Sequence, residues 1–381
     1  MQLGTKLSLF AALSLGTVTL HAENYVNVQF IGYDEDSGRT TIFSPQVEIA
    51  YDYGVDYAFD LSFGVDSISG ASPTFYDAAS GASASSRGST TQENVVWGDV
   101  PYDDVRKFAS LSVTKRLPSR DEVTMGLSYS GESDYYSGEV SGEYLHYLDN
   151  SKNQSVTIGA AYQKNQVLVP CYEGNSECDT ESGASQKFDI DVFNAEVGFT
   201  QIIDKNSLAK ISFFAGKEDG FLSNPYMNVV RYYDTSPIIE GERKPDTRTS
   251  YGLTLSYARA LGEKVTVLGD YRYYSDDWDI DSHMINTEIN YDPNEAWGLN
   301  AGFRYYTQTA AKFYSGKKDY FADQKYTSSD RRMSAFDAFT YKVNTEYRLR
   351  KDTKLNVGVT YYDQPDWFDA IYYTIGVKYD Y

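Results

Sequence analysis

The chain ends in the stretch IYYTIGVKYDY (residues 371–381), in which apolar and polar side chains alternate. In a β-strand, successive side chains point to opposite faces. One face would then carry Ile371, Tyr373, Ile375, Val377, Tyr379 and Tyr381, and the other Tyr372, Thr374, Gly376, Lys378 and Asp380. This pattern predicts a strand with one face toward lipid and the other toward water.

The same alternation recurs in residues 57–65, 251–257, 297–305 and 355–361. A soluble β-sandwich also alternates, but its outer face is polar. Many of the 36 tyrosines stand at the edges of the apolar stripes, where a membrane barrel places its aromatic girdles. An open sheet edge in hydrocarbon would leave backbone groups without partners, so such a sheet must close. We therefore predict an all-β protein that is a transmembrane antiparallel β-barrel.

The connections between these stripes alternate between short and long. Short turns such as 262–264 alternate with longer connections, which we place at 67–103, 164–187, 217–248 and 311–334. Membrane barrels show this pattern, with short periplasmic turns and long outer loops. We expect about 16 strands, with a range of 14 to 18. An even number of strands predicts that both termini lie in the periplasm of a Gram-negative cell.

Residues 1–22 have the features of a signal peptide. Lys6 precedes the apolar run 7–20, and Ala22 supplies a small residue at the expected cleavage point. The run is shorter than the roughly 20 residues that a spanning helix requires. We expect residues 23–381 to form a single barrel domain in the cell outer membrane.

Acidic residues outnumber basic ones, 54 against 34, giving a formal charge of −20. Nucleic-acid binding requires a basic surface, so this balance disfavours it. Several charged side chains fall on the predicted water-facing stripes, and we expect them in the lumen: Asp270, Arg272, Arg304, Glu346 and Arg348. They favour a water-filled channel. The alternative is a barrel plugged by its own long loops.

The string VDSISGASP (residues 65–73) resembles the signature of the bacterial domain of unknown function 3570, and its defining residues here are Asp66, Ser69, Gly70, Ala71, Ser72 and Pro73. The resemblance implies a Gram-negative outer-membrane barrel of uncharacterised function and transfers no catalytic residues. Chemically, the string is typical of a turn, because Gly70 permits positive φ and Pro73 fixes φ. We expect a structural loop at a strand end or in the barrel mouth. A constriction that contacts a ligand is the alternative.

The aromatic C-terminal strand is also similar to the signal that the barrel assembly machinery recognises in outer-membrane proteins. Tyr381 stands where Phe is more usual. The expected partners are therefore this machinery, the lipid bilayer and lipopolysaccharide, with a small solute as a further possibility.

Three smaller sets of residues bear on chemistry. Cys171 and Cys178 are close in an exported chain, so we expect a disulfide. Asp277, Asp279 and Asp281 alternate and form a weak calcium candidate, although they lack the Gly and terminal Glu of a calcium loop. After signal removal only His146 and His283 would remain, and neither has the neighbours of a catalytic pair. We expect no enzymatic activity and no cofactor.

Two functions remain open. The first is a porin-like channel, either for diffusion or selective for a substrate. The second is a non-conducting barrel that acts as a scaffold or receptor for a periplasmic or surface partner. The family resemblance adds the hypothesis that such a partner is redox-related.

Overall fold

The computed structural model describes residues 24–36, 39–81, 87–171, 185–365 and 367–381. Its strands, in chain order, are β1 Tyr25–Glu35, β2 Thr40–Tyr53, β3 Tyr57–Asp77, β4 Gly88–Ser89, β5 Val95–Arg116, β6 Glu122–Gly131, β7 Tyr135–Tyr147, β8 Gln154–Pro170, β9 Ser185–Asp204, β10 Ser207–Gly220, β11 Asn228–Arg231, β12 Ile238–Gly241, β13 Thr247–Ala260, β14 Val265–Asp276, β15 Asp281–Asn294, β16 Trp297–Gln308, β17 Phe336–Arg350, β18 Thr353–Gln364 and β19 Phe368–Asp380. Two short 3₁₀ helices span Gln92–Asn94 and Arg331–Met333.

Sixteen of these strands form one closed antiparallel barrel, which confirms the predicted architecture and strand number. Strands β4, β11 and β12 lie outside it and form a separate three-stranded sheet. The barrel closes between its first and last strands, whose register runs from Tyr25 opposite Asp380 to Glu35 opposite Ala370. No helix among the described residues has the length and hydropathy needed to cross a membrane.

The outer surface of the barrel is apolar, as the alternation predicts. Side chains that point outward from strands all around the barrel are exposed, including Phe30, Phe63, Leu127, Ile158, Phe213, Val343 and Ile375. The C-terminal strand follows the predicted faces, since Tyr373, Ile375, Val377 and Tyr379 are all exposed. Polar and small residues of the alternate positions face the lumen.

The two ends of the barrel differ. At one end, which we call the short-turn end, connections such as 54–56, 205–206 and 351–352 contain two or three residues. At the other, here the long-loop end, the connections include 78–94, 171–184, 221–246 and 309–335. This division agrees with the predicted alternation of short turns and long loops.

Two boundary predictions were wrong. The connection expected at 164–187 is shorter, because β8 continues to Pro170. The long connection expected at 67–103 is much shorter, because β3 continues to Asp77 and β5 begins at Val95. The two strands pair without interruption from Tyr57 opposite Lys115 to Asp77 opposite Val95. The resulting hairpin is the longest in the barrel, and residues 65–73 lie inside it rather than in a loop.

Candidate functional site: the covered mouth of the barrel

The lumen wall carries paired charges. Lysine and glutamate side chains from different strands lie close together: Lys210 Nζ and Glu196 Oε1 are 3.5 Å apart, Lys342 Nζ and Glu288 Oε1 3.4 Å, and Lys354 Nζ and Glu346 Oε1 3.0 Å. Each pair connects two strands across the sheet. The acid and base of each pair largely compensate each other on the wall.

The predicted lumen residues lie on this wall. Arg304 interacts electrostatically with Glu288 and Asp270. The guanidinium of Arg272 lies 4.1 Å from the centre of the Phe214 ring. Glu346 belongs to one of the pairs above, and Arg348, two positions further along β17, is exposed near the short-turn end.

Near the long-loop end the lumen wall becomes apolar. Wall residues of β7, β8 and β9 are buried there, namely Tyr135, Val167, Val169, Ile190 and Val192. They form one cluster with Leu222, Trp278, Ile280, Ala311 and Phe313, which belong to connections at that end. Apolar side chains leave water when they pack together, and this stabilises the contact. The connections therefore fold inward onto the wall, and we call residues 221–246 and 309–335 the cap.

Four charged side chains, three of them buried and that of Arg332 partly exposed, join the two segments of the cap. Lys244 Nζ lies 2.8 Å from Glu242 Oε1 and 3.5 Å from Asp330 Oδ2. Arg332 donates to both oxygens of Asp330, with Nε at 2.8 and 2.9 Å. Two acids and two bases thus form one group whose charges balance. We call Glu242, Lys244, Asp330 and Arg332 the latch.

Buried charges are tolerated only when they are paired and hydrogen-bonded. Burial by itself raises the pKa of the Asp330 carboxyl, but Arg332 and Lys244 outweigh it and hold that pKa below its usual value of 3.8. Glu242 is held further by the backbone N–H of Asn224 and by the hydroxyl of Ser328, each at 2.5 Å. Backbone bonds between Arg243 and Thr327 run beside the latch in both directions.

The cap extends across the mouth. Its segment 309–335 leaves from β16 and returns to β17, yet the guanidinium of Arg331 lies 5.8 Å over the ring of Trp97 on β5. In the strand order of the barrel, β5 stands nearly opposite β16. The other segment also reaches the β3–β5 hairpin, because Asn228 donates its backbone N–H to Thr74 Oγ1 at 2.8 Å.

The family motif has a structural role within the hairpin. The Asp66 carboxylate accepts from Ser44 Oγ at 2.5 Å and from Arg106 Nε at 2.6 Å. Gly70 is not among the residues with positive φ; instead a Cβ there would lie 2.7 Å from the carbonyl oxygen of Arg39. Glycine is required at this position because the backbone of the neighbouring strand is so close. The remaining motif residues, Ser69, Ala71, Ser72 and Pro73, pair with Asp103, Pro101, Val100 and Asp99 of β5.

The weak calcium prediction at Asp277, Asp279 and Asp281 is not supported by the geometry. Asp277 accepts from the Thr249 N–H at 3.1 Å, and Asp281 accepts from the Tyr273 hydroxyl at 2.9 Å. Asp279 Oδ1 lies 4.0 Å from Lys312 Nζ. The three side chains thus have separate partners. Asp276 organises this connection instead, since its buried carboxylate accepts from Arg248 and from the backbone N–H groups of Trp278 and Ile280.

The other sequence predictions are placed as follows. Cys171 is buried, whereas Cys178 lies outside the described residues, so the disulfide stays a prediction. His146 Nδ1 lies 3.1 Å from Asp121 Oδ1, and His283 Nδ1 lies 2.8 Å from the Tyr271 hydroxyl. Both histidines are exposed, His146 on β7 and His283 on β15.

An acidic group that sequence reasoning missed lies beneath the cap. Carboxylate oxygens of Asp104, Glu132 and Asp134, one from each residue, lie within 4.8 Å of one another. Asp134 also receives a short hydrogen bond from the Tyr226 hydroxyl of the cap. The available signal was the pair of acids Glu132 and Asp134 in one short connection, but the third acid comes from a different hairpin.

The sequence model of a family described as a protein of unknown function (DUF3570) matches residues 9–371. The chain belongs to this family. A comparison of the sequence with curated proteins finds no significant match.

Solved structures with a similar fold are outer-membrane barrels. CdiB from Acinetobacter baumannii has a TM-score of 0.51 at 7% identity, over 94% of this chain and 60% of that one. A bacterial polysaccharide outer membrane secretin has a TM-score of 0.49 at 7% identity, over 95% and 99%. The monoaromatic hydrocarbon channel CymD has a TM-score of 0.45 at 9% identity, over 94% and 88%. At such identities the likeness to CdiB shows the fold alone.

Proposed function

We propose that this DUF3570 protein is an outer-membrane channel for a small solute, and that its cap closes the mouth of the barrel. The observation that carries the proposal is the latch, in which three buried charges and the partly buried Arg332 hold the two cap segments together over the lumen. Burying charges carries a substantial desolvation cost. A loop that only covered the outer surface would not require that cost.

The charged wall below the cap supports a wet lumen. Paired lysines and glutamates line it, and such groups are tolerated within a membrane barrel where they face water. A solute that passes the cap would therefore enter a polar passage. Acidic and basic side chains are paired along this passage. Selectivity based on the shape of the cap opening is therefore favoured over selectivity based on charge alone.

The proposed orientation follows from the two ends. With 16 strands the chain begins and ends at the short-turn end, which we place in the periplasm together with both termini. The cap then faces the outside, where the outer lipid is lipopolysaccharide. Delivery would require residues 1–22 as a signal peptide and the barrel assembly machinery, to which the aromatic strand β19 would be presented.

Planar-bilayer recording tests the channel. We expect the wild-type protein to show rare, brief openings, and Asp330→Ala to raise the open probability at least about tenfold, because it leaves Arg332 and Lys244 without their shared carboxylate. Asp319→Ala is the matched control, since Asp319 is an exposed acid of the same cap segment. It should behave like the wild type.

Two results would contradict the proposal. Continuous wild-type current would show that the cap does not close the mouth. Silence of both wild type and Asp330→Ala would leave the second candidate, a receptor. That candidate is favoured by one observation: the cap presents the exposed aromatic side chains of Tyr232 and Tyr320 on a folded surface.

A further inference from the structure

The acidic group under the cap is built from two neighbouring hairpins. Asp104 lies in β5, whereas Glu132 and Asp134 lie in the connection between β6 and β7. Asp104 is held in place by Ser133, which donates its backbone N–H at 3.2 Å and its hydroxyl at 3.0 Å. Three carboxylates are thereby fixed around one point, with ligand atoms within 4.8 Å of one another.

Two oxygens of this group are buried and accept no hydrogen bond from any residue that the structure describes. They are Glu132 Oε2 and Asp134 Oδ1, and the Glu132 residue as a whole is only 7% exposed. A buried carboxylate oxygen normally has a partner, because an unpaired one loses its hydration without compensation. Among the residues that the structure describes, none places a positive charge at the centre of the group.

Arg106 does not supply that partner. Arg106 lies close enough to interact electrostatically with Glu132, but its Nε donates to Asp66 at 2.6 Å and its Nη2 is also paired with that carboxylate. Burial, followed by the charges of Asp104 and Asp134, raises the pKa of Glu132 to about 7. Asp104 and Asp134 thus place negative charge close to a carboxyl that is already buried.

We propose that Asp104, Glu132 and Asp134 bind a Ca²⁺ ion. Carboxylate oxygens without nitrogen or sulfur donors are the ligands of hard cations, and calcium accepts irregular sets of oxygens that include carboxylates and waters. The ion would join β5 to the β6–β7 connection. Through the hydrogen bond between Asp134 and Tyr226 it would also fix the cap segment 221–246 to the wall.

This inference does not depend on whether the barrel conducts. It is tested on the full-length mature barrel, refolded in detergent without lipopolysaccharide and stripped with a chelator. Equilibrium dialysis against ⁴⁵Ca²⁺ should find one ion per chain with a Kd below about 1 mM, the weak end of the range for protein calcium sites. Glu132→Gln should weaken binding at least about tenfold, and Asp104→Asn should do the same.

Asp103→Asn is the matched control. Asp103 precedes Asp104 in β5 but is exposed on the outer face of the strand. Its substitution should leave the bound calcium unchanged. A loss of calcium in Asp103→Asn equal to that in Glu132→Gln would indicate diffuse binding to surface acids and overturn the proposal.

Thermal unfolding gives a second, independent readout. In chelator, Glu132→Gln should melt higher than the wild type, because it removes one of three mutually repelling charges. In 5 mM Ca²⁺ the wild type should gain in melting temperature and the variant should not. The proposal fails if the wild type binds no calcium at 5 mM, or if calcium stabilises wild type and Glu132→Gln equally.

Discussion

At the scale of single residues, one acid outside the latch organises the edge of the covered mouth. The side chain of Asp276 is fully buried, and it accepts from Arg248 Nε and Nη2 at 2.8 and 2.6 Å. It also accepts from the Tyr274 hydroxyl at 2.8 Å and from the N–H groups of Trp278 and Ile280. This single carboxylate therefore holds the connection that carries Trp278 into the apolar cluster.

Replacing this acid should loosen the connection. We expect Asp276→Asn to cost about 2 kcal/mol, the value of a hydrogen bond to a charged group, since Arg248 loses its anionic partner. Hydrogen exchange at residues 277–280 should then be about 30-fold faster. Asp277→Asn is the control. Asp277 is next to Asp276, but it is exposed and its carboxylate accepts only from the Thr249 N–H among the bonds described above. Equal exchange rates in the two variants would contradict this role of Asp276.

Sequence reasoning at the residue scale predicted charges on the lumen face and missed the acidic group. A period of two assigns Arg304 and Glu346 to one face without knowledge of their neighbours. The proximity of Asp104 to Glu132 depends on the register of β5 with β6, where Lys107 stands opposite Gly131. No local pattern reports that register.

At the scale of elements, the β3–β5 hairpin decides where the wall ends. Local chemistry favoured a turn at residues 67–73, because Ser, Gly and Pro are typical of turns. Cross-strand pairing outweighs this local preference, because the segment pairs residue by residue with β5. Pro73 has no backbone N–H, so it fits only at a position that donates no hydrogen bond to the neighbouring strand. Strand propensity depends strongly on such context.

Hydrogen exchange distinguishes the hairpin from a loop. We expect the amides of residues 66–77 to be protected to a degree similar to those of residues 57–65, because both parts of β3 pair with β5. Exposed connections such as 54–56 should exchange within seconds and serve as the internal reference. Rapid exchange at residues 67–73 would support the original expectation of a loop.

At the scale of the whole molecule, closure should be insensitive to mild acid. The Asp330 carboxyl has a folded-state pKa below its usual value of 3.8. Its contribution to stability is present above that usual value and is lost only as the pH falls through the lower, folded-state pKa. We therefore expect the same low open probability in bilayers at pH 7.5 and at pH 5.

The control for this measurement is Asp330→Ala, which should show frequent openings at both pH values. Wild-type openings that become frequent at pH 5 would show that another group governs the cap.

The overall architecture was predictable because the period of two and the lengths of the connections repeat along the chain. The sequence left the inward fold of long loops as an alternative only, since that fold depends on contacts such as the one between Lys244 and Asp330 in separate loops.

The contact between β1 and β19 also sets the timing of assembly. These strands are the first and last parts of the barrel to leave the ribosome, and they pair along their full length. The ring therefore cannot be completed before β19 is available to pair with β1. Until then two unpaired strand edges persist, each a template for aggregation, so an almost finished sheet requires protection until its last strand joins.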